Sequence, residues 1–146
     1  MTPAGVAIRT PMRELECMET DPQQRYLKIL NDSIRMDPAT LVTELLGLLG
    51  AALVAYLASV DNTRVTRMWA EGIIVPGEIV LQRLRLAYRI ARLVGDHDAP
   101  GVAAAWMSGL NPALYDRGPA TMTREGDPAQ VGPAVLSAAE DFLARG

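Results

Sequence analysis

Side chains able to carry covalent or acid–base chemistry are sparse in this chain of 146 residues. The single histidine, His97, stands between Asp96 and Asp98. A metal site needs several ligands converging from separate positions, and carboxylates on either side of one residue need not converge, so this stretch reads as a turn. The single cysteine, Cys17, has no partner for an intrachain disulfide and lies in a polar stretch without an activating base, which fits a reducing compartment. No glycine-rich phosphate loop or nucleophile elbow occurs, and no histidine-based triad assembles around one histidine. No catalytic residue, cofactor or metal ligand is assigned, and the chain reads as a binder of macromolecules.

Recognition chemistry is better represented. From Leu53 to Gly72 the pattern is that of two short helices joined by a tight turn through Val60, Asp61 and Asn62. In a helix-turn-helix that reads DNA, the first helix braces the second, whose N-terminal side chains reach base edges while arginines hold phosphates. Asn62, Thr63, Arg64 and Arg67 have the types and positions for those contacts. The same pattern suits a helix pair used only for packing, and Asp61 in the turn is an acid where DNA brings negative charge. Both readings stay open at this level.

Charge is segregated along the chain. The net charge is −3 overall, yet Arg64, Arg67, Arg83, Arg85, Arg89 and Arg92 face only Glu71 and Glu78 in that window, leaving it at +4 and the remainder at −7. Arg85, Arg89 and Arg92 share one face of a helix. They suit phosphates or an acidic partner, or form the solvated side that an amphipathic helix must have.

The elements that must position these residues are all helical. Asp21-Pro22, Asp37-Pro38 and Asp127-Pro128 each set a side-chain acceptor before a proline whose fixed φ suits a first helical turn. Tyr26, Leu30 and Ile34 recur at helical spacing to about Met36, and Leu41, Leu45 and Leu48 or Leu49 do so in a second helix whose end Gly47 and Gly50 weaken. Short helices follow over Ala51 to Ser59 and Thr63 to Glu71. Glu78 to Val94 is the longest periodic stretch, with Val80, Leu84, Ala87, Ala91 and Val94 on its packing face. Beyond Gly95 the pieces shorten: a helix near Val102 to Met107, a loop through Gly109 and Asn111-Pro112, and a turn at Gly118-Pro119. A last helix ends near Ala144, its apolar face formed by Val135, Ala138, Ala139 and Phe142 and its start expected to be delayed by Gly132-Pro133. No strand-like alternation and no repeat appears. The expected fold is all-α, a helix-turn-helix-containing bundle with a small C-terminal helical lobe, divided as a loose arm over 1–20, a helical domain over 21–95 and a C-terminal domain over 96–146.

Apolar residues make up 49% of the chain and charged residues 21%, enough for a packed core. The longest uncharged run, Leu45 to Val60, has 16 residues between Glu44 and Asp61, short of the roughly 20 that a membrane span needs. Nothing near Met1 resembles a signal peptide, so a cytoplasmic protein without a membrane partner is expected.

Trp106, Gly109, Asn111, Pro112 and Leu114, then Pro119, then Arg124 and Gly126, and finally Val131, Ala139 and Phe142 follow one another in an order that resembles the C-terminal toxin-binding domain of the Xre/MbcA/ParS antitoxin family. Upstream, Val60 to Gly72 is similar to that family's degenerate Xre-type helix-turn-helix. The resemblance covers roughly Leu41 to Ala144. Val65-Thr66 departs from the polar-then-apolar order usual in the motif's second helix, and Gly132-Pro133 falls where a continuous helix is expected.

The resemblance implies an antitoxin-like protein that occludes a cognate toxin carrying an RES domain, which consumes NAD, and that binds the operator of its own operon. Asn111, Pro112, Leu114 and Pro119 would shape the toxin-facing surface, with Trp106 and Phe142 holding the core of that lobe. Tyr115 and Arg117 are the expected hot spots, because Tyr and Arg dominate such interfaces. A capping surface that is partly apolar implies an oligomer or a hetero-complex. A stand-alone transcription regulator using Arg64 and Arg67 without a toxin, and a purely structural adaptor, are the rival expectations.

Overall fold

The computed structural model describes residues 22–95 and 101–145. Cys17, the expected arm over 1–20, the Asp21 cap and the His97 turn lie outside the described residues. The fold is all-α. Its helices are α1 (Pro22–Arg35), α2 (Pro38–Leu49), α3 (Ala51–Ala58), α4 (Thr63–Ala70), α5 (Glu78–Val94), α6 (Val102–Ser108), α7 (Pro119–Glu125) and α8 (Pro128–Arg145), with a 3₁₀ turn at Pro112–Leu114. Among the described residues the only sheet-like pairing is a single antiparallel bridge between Asn111 and Arg117.

Local chemistry accounts for the boundaries. Asp37 caps α2, its carboxylate accepting from the Thr40 amide at 3.2 Å and the Thr40 hydroxyl at 2.7 Å, with Pro38 opening the helix. Gly50, at φ 89°, turns the chain from α2 into α3, and Ser59, at φ 60°, ends α3 in the left-handed region. No helix among the described residues is long and apolar enough to cross a membrane.

α5 is the axis of the molecule. Leu84, Leu86, Ala87, Tyr88, Ile90, Ala91, Leu93 and Val94 are all buried on it, because α1, α2, α3, α6, α7 and α8 pack around it. One apolar cluster joins Ile29 on α1 to Leu41 and Leu45 on α2, Trp69 on α4, and Met107, Val135 and Ala139 from the C-terminal helices. The two halves are also joined by polar contacts: the Tyr56 and Thr121 hydroxyls meet at 3.1 Å, and the Arg124 guanidinium lies 4.4 Å from the centre of the Tyr56 ring.

Two expectations are corrected here. Arg85, Arg89 and Arg92 on α5 are not simply a solvated face: they fasten α1. Arg85 donates to the carbonyls of Ser33 at 2.7 Å and Met36 at 2.8 Å, satisfying acceptors that the end of α1 leaves open. Arg89 donates to the Tyr26 hydroxyl at 3.1 Å and lies over that ring. Arg92 bonds the Tyr88 hydroxyl and approaches Asp32, and its own carbonyl accepts from Arg25 at 3.0 Å. Arginine can do this because its flat guanidinium combines several donors with a stacking face.

The second correction concerns α8, which starts at Pro128 and runs through Pro133 without a break. Pro133 removes one amide whose acceptor would be the Ala129 carbonyl. Both residues are exposed, so water can serve that carbonyl, while Gly132 lies against Leu86 and lets α8 approach α5 closely.

Candidate functional site

Six of the positions singled out in the sequence gather in one place, the loop from Asn111 to Arg117 and the start of α7. Asn111 organises it. Its side-chain oxygen accepts from the Ala113 amide at 2.8 Å, and its carbonyl accepts from the amides of Leu114 and Asp116, both at 2.9 Å. Its own amide donates to the Arg117 carbonyl at 3.1 Å, closing the loop. Leu114 and Pro119 are buried and support the loop from beneath. Pro112, Tyr115 and Arg117 are exposed.

Tyr115 is the extreme case: it is 93% exposed at φ 58°, and Asp116 follows at φ 62°. Two consecutive non-glycine residues in the left-handed region cost of order 1 kcal/mol or more each, and they persist because the closed loop over-determines them.

Beside the loop is a groove of about 490 Å³ whose walls include Trp106, Leu110, Pro112, Phe142 and Arg145. Trp106 and Phe142 meet with ring centres 6.2 Å apart at 55°, but Trp106 is only half-buried and Phe142 is 41% exposed. The pair therefore forms a groove wall, with Trp106 also packed against the core. Leu110 at the rim is 76% exposed, which the sequence reading did not single out. Gly126 holds the α7–α8 corner: a Cβ there would lie 2.3 Å from Val131 Cγ1 and 2.9 Å from the Met122 carbonyl oxygen. This explains sterically why a glycine stands between these helices.

The second group is at the amino end of α4. Asn62 is its N-cap, the side-chain oxygen accepting from the amides of Arg64 at 3.0 Å and Val65 at 3.3 Å. Thr66 and Trp69 turn inward, and the buried Thr66 hydroxyl is satisfied by the Thr63 carbonyl at 2.7 Å. A threonine at this inward position is thus tolerated because its hydroxyl is used locally. Thr63, Arg64 and Arg67 are exposed. The two groups lie on different elements, α4 and the α6–α7 connection.

A groove of about 750 Å³ lies between α1 and α8, lined by Leu30, Ile34 and Leu136. Two of its polar lining residues, Arg85 and Arg89, are already bonded to α1; the others are Tyr26, Ser33, Gln82 and Glu140. Comparison with protein-family models, with curated proteins and with solved structures returns no match.

Proposed function

We propose that the chain is an antitoxin-like protein. Its C-terminal face would cap a toxin carrying an RES domain, blocking NAD consumption by occlusion and without chemistry of its own. The observation that supports this most is Tyr115, held almost fully in solvent in a costly conformation by a closed loop whose Pro112 and Ala113 line a groove together with Leu110 and Phe142. An aromatic side chain on a fixed backbone, presented beside exposed apolar residues, is what a protein interface uses as an anchor, because tyrosine offers a large contact area for few rotatable bonds. The RES identity of the partner rests on the resemblance in the order of Trp106, Asn111, Pro112, Leu114, Pro119 and Gly126. A cytoplasmic location goes with that role.

Operator binding is proposed as a second activity of the same protein. It is favoured by the exposure of Thr63, Arg64 and Arg67 on a helix whose opposite side, through Thr66 and Trp69, is anchored in the core. A stand-alone regulator without a toxin uses this surface alone.

Co-expression with the product of the adjacent gene, followed by purification through a tag on this chain, tests the reading. A stoichiometric complex in which NAD loss is suppressed supports it. Absence of a complex, together with salt-sensitive binding to the upstream DNA, leaves the stand-alone regulator.

A further inference from the structure

α1 carries an apolar stripe that the described residues leave open. Leu27 is 48% exposed, Leu30 is half-buried and Ile34 is 64% exposed, at helical spacing along one side. The groove of about 750 Å³ at Leu30 and Ile34 adjoins a second of about 630 Å³ at Pro22, Leu27 and Leu143, the two sharing Tyr26 and Glu140. Together they form one trough between α1 and α8, and it begins at Pro22, the first residue of α1.

The segment Thr10 to Asp21, outside the described residues, leads directly into that end. Met12, Leu15 and Met18 recur in it at helical spacing behind Thr10-Pro11, an acceptor and a proline of the kind that opens a helix. Met18 lies four positions before Pro22 and Leu27 five after it, Leu15 seven before and Leu30 eight after, Met12 ten before and Ile34 twelve after. In an antiparallel helix pair that reverses at Thr20 and Asp21 these three pairs come level, and so short a connection is ordinary for such a hairpin.

Charge agrees with this register. The segment holds Glu14, Glu16, Glu19 and Asp21 against one base, Arg13. At roughly 100° per residue, Glu14 and Glu16 flank the apolar stripe on its two edges, while Arg13 and Cys17 fall on the opposite side. The trough presents Arg85 and Arg89 against one acid, Glu140. Arg85 engages α1 through Nη1 and Arg89 through Nη2, so each has another terminal nitrogen to offer a carboxylate.

We infer that residues 11–21 fold back along α1 and seat Met12, Leu15 and Met18 in this trough. Tethering selects this occupant: a segment joined to the end of its own site is present there at an effective concentration on the order of millimolar, which a second copy or a separate protein would have to match. Docking also braces the last turns of α8, because Leu143 lines the seat while Phe142 and Arg145 line the groove beside the Tyr115 loop. Only the bearing of that brace on toxin capping rests on the proposed function.

The test is disulfide trapping in the full chain carrying Cys17→Ser, with Met12→Cys combined with Ile34→Cys or, as the control, with Ile79→Cys. Ile79 on the first turn of α5 is 61% exposed, close to Ile34, and lies outside the trough. Under mild oxidation the pair at 12 and 34 is expected to close within one chain about tenfold faster than the pair at 12 and 79, and Leu15→Asp to remove that advantage without changing the control rate. Equal rates for the two pairs, or a rate at 12 and 34 that Leu15→Asp leaves unchanged, overturns the inference. So does a bond at 12 and 34 that forms only between chains, which gives the trough to a second copy. Amide exchange reads the same contact without new cysteines: residues 14–19 should exchange about tenfold more slowly in wild type than in Leu15→Asp, and equal exchange contradicts docking. Trapping as expected with toxin affinity unaffected by Leu15→Asp upholds the docking and removes only its bearing on capping.

Discussion

Leu114 and Tyr115 are consecutive residues in opposite environments: Leu114 is 2% exposed beneath the Asn111–Arg117 loop, and Tyr115 is 93% exposed at its tip. The backbone achieves the reversal by entering the left-handed region at Tyr115, while the Tyr115 amide still donates to the Pro112 carbonyl. The buried leucine anchors the loop, and the loop holds the tyrosine outward. Anchoring and solvent exposure thereby fall on adjacent positions that can be separated by mutation.

Tyr115→Gly should raise stability by about 1 kcal/mol, because glycine relieves the left-handed strain and the lost side chain packs against little. Binding of the toxin partner should weaken in the same variant. Urea unfolding reads the first effect and a pull-down the second; a destabilised Tyr115→Gly protein would contradict the strain argument. Leu114→Ala, by contrast, should cost about 2–4 kcal/mol through the cavity it leaves.

Arg85→Ala should destabilise the fold by about 2 kcal/mol, since the Ser33 and Met36 carbonyls at the end of α1 lose a charged donor. Operator binding, if measured alongside, should keep its salt dependence, because Arg85 is committed to α1. A change in the salt slope without loss of stability would return Arg85 to the role of a phosphate contact.

At α4 the two effects divide differently. Asn62→Ala should cost about 1 kcal/mol through the loss of the cap. Arg64→Ala and Arg67→Ala should leave the unfolding midpoint nearly unchanged and lower the salt slope of DNA binding by about one each. Titrating binding against salt for the three variants separates a cap from a phosphate contact.

Two groups give pH dependence of opposite sign. Burial pushes the Tyr88 hydroxyl above the ordinary 10.0, against the opposing pull of Arg92. A raised value in the folded state means stability that is fully present below pH 10 and lost as pH rises through the folded value. The bond from the Thr40 hydroxyl, with that of the Thr40 amide, holds the Asp37 carboxylate below its ordinary 3.8, so its contribution is present above that value and lost as pH falls. Following phenolate absorbance in wild type and Tyr88→Phe checks the first: the last tyrosine to ionise should be missing from the variant.

What was legible in the sequence was what neighbours along the chain decide. The Asp37-Pro38 cap, the reversal between α2 and α3 at Gly50, the span of α5 from Glu78 to Val94 and the short α3–α4 pair depend on residues within a turn of one another. What was not legible depends on a third element. A helical wheel of α5 places Arg85, Arg89 and Arg92 on a polar face, but only the docking of α1 makes that face an attachment site. Pro133 breaks a helix by local rules and is tolerated where water reaches the carbonyl it leaves free. The loop at Asn111-Pro112 could be placed from its residue types, yet which of Leu114 and Tyr115 points inward follows from the φ angles of the closed turn. The run Ile73-Ile74-Val75 between two glycines is exposed, which an apolar run in the sequence does not by itself reveal.

The central claim is that the Tyr115 loop is the surface that captures the toxin. The most direct measurement is the affinity of the purified partner for wild type and for the Tyr115→Ala, Arg117→Ala double variant, with unfolding followed on the same samples. The account predicts a loss of affinity of at least 2 kcal/mol, about thirtyfold, with stability unchanged within about 0.5 kcal/mol. Equal affinity for the two proteins would contradict it and move the interface away from this loop.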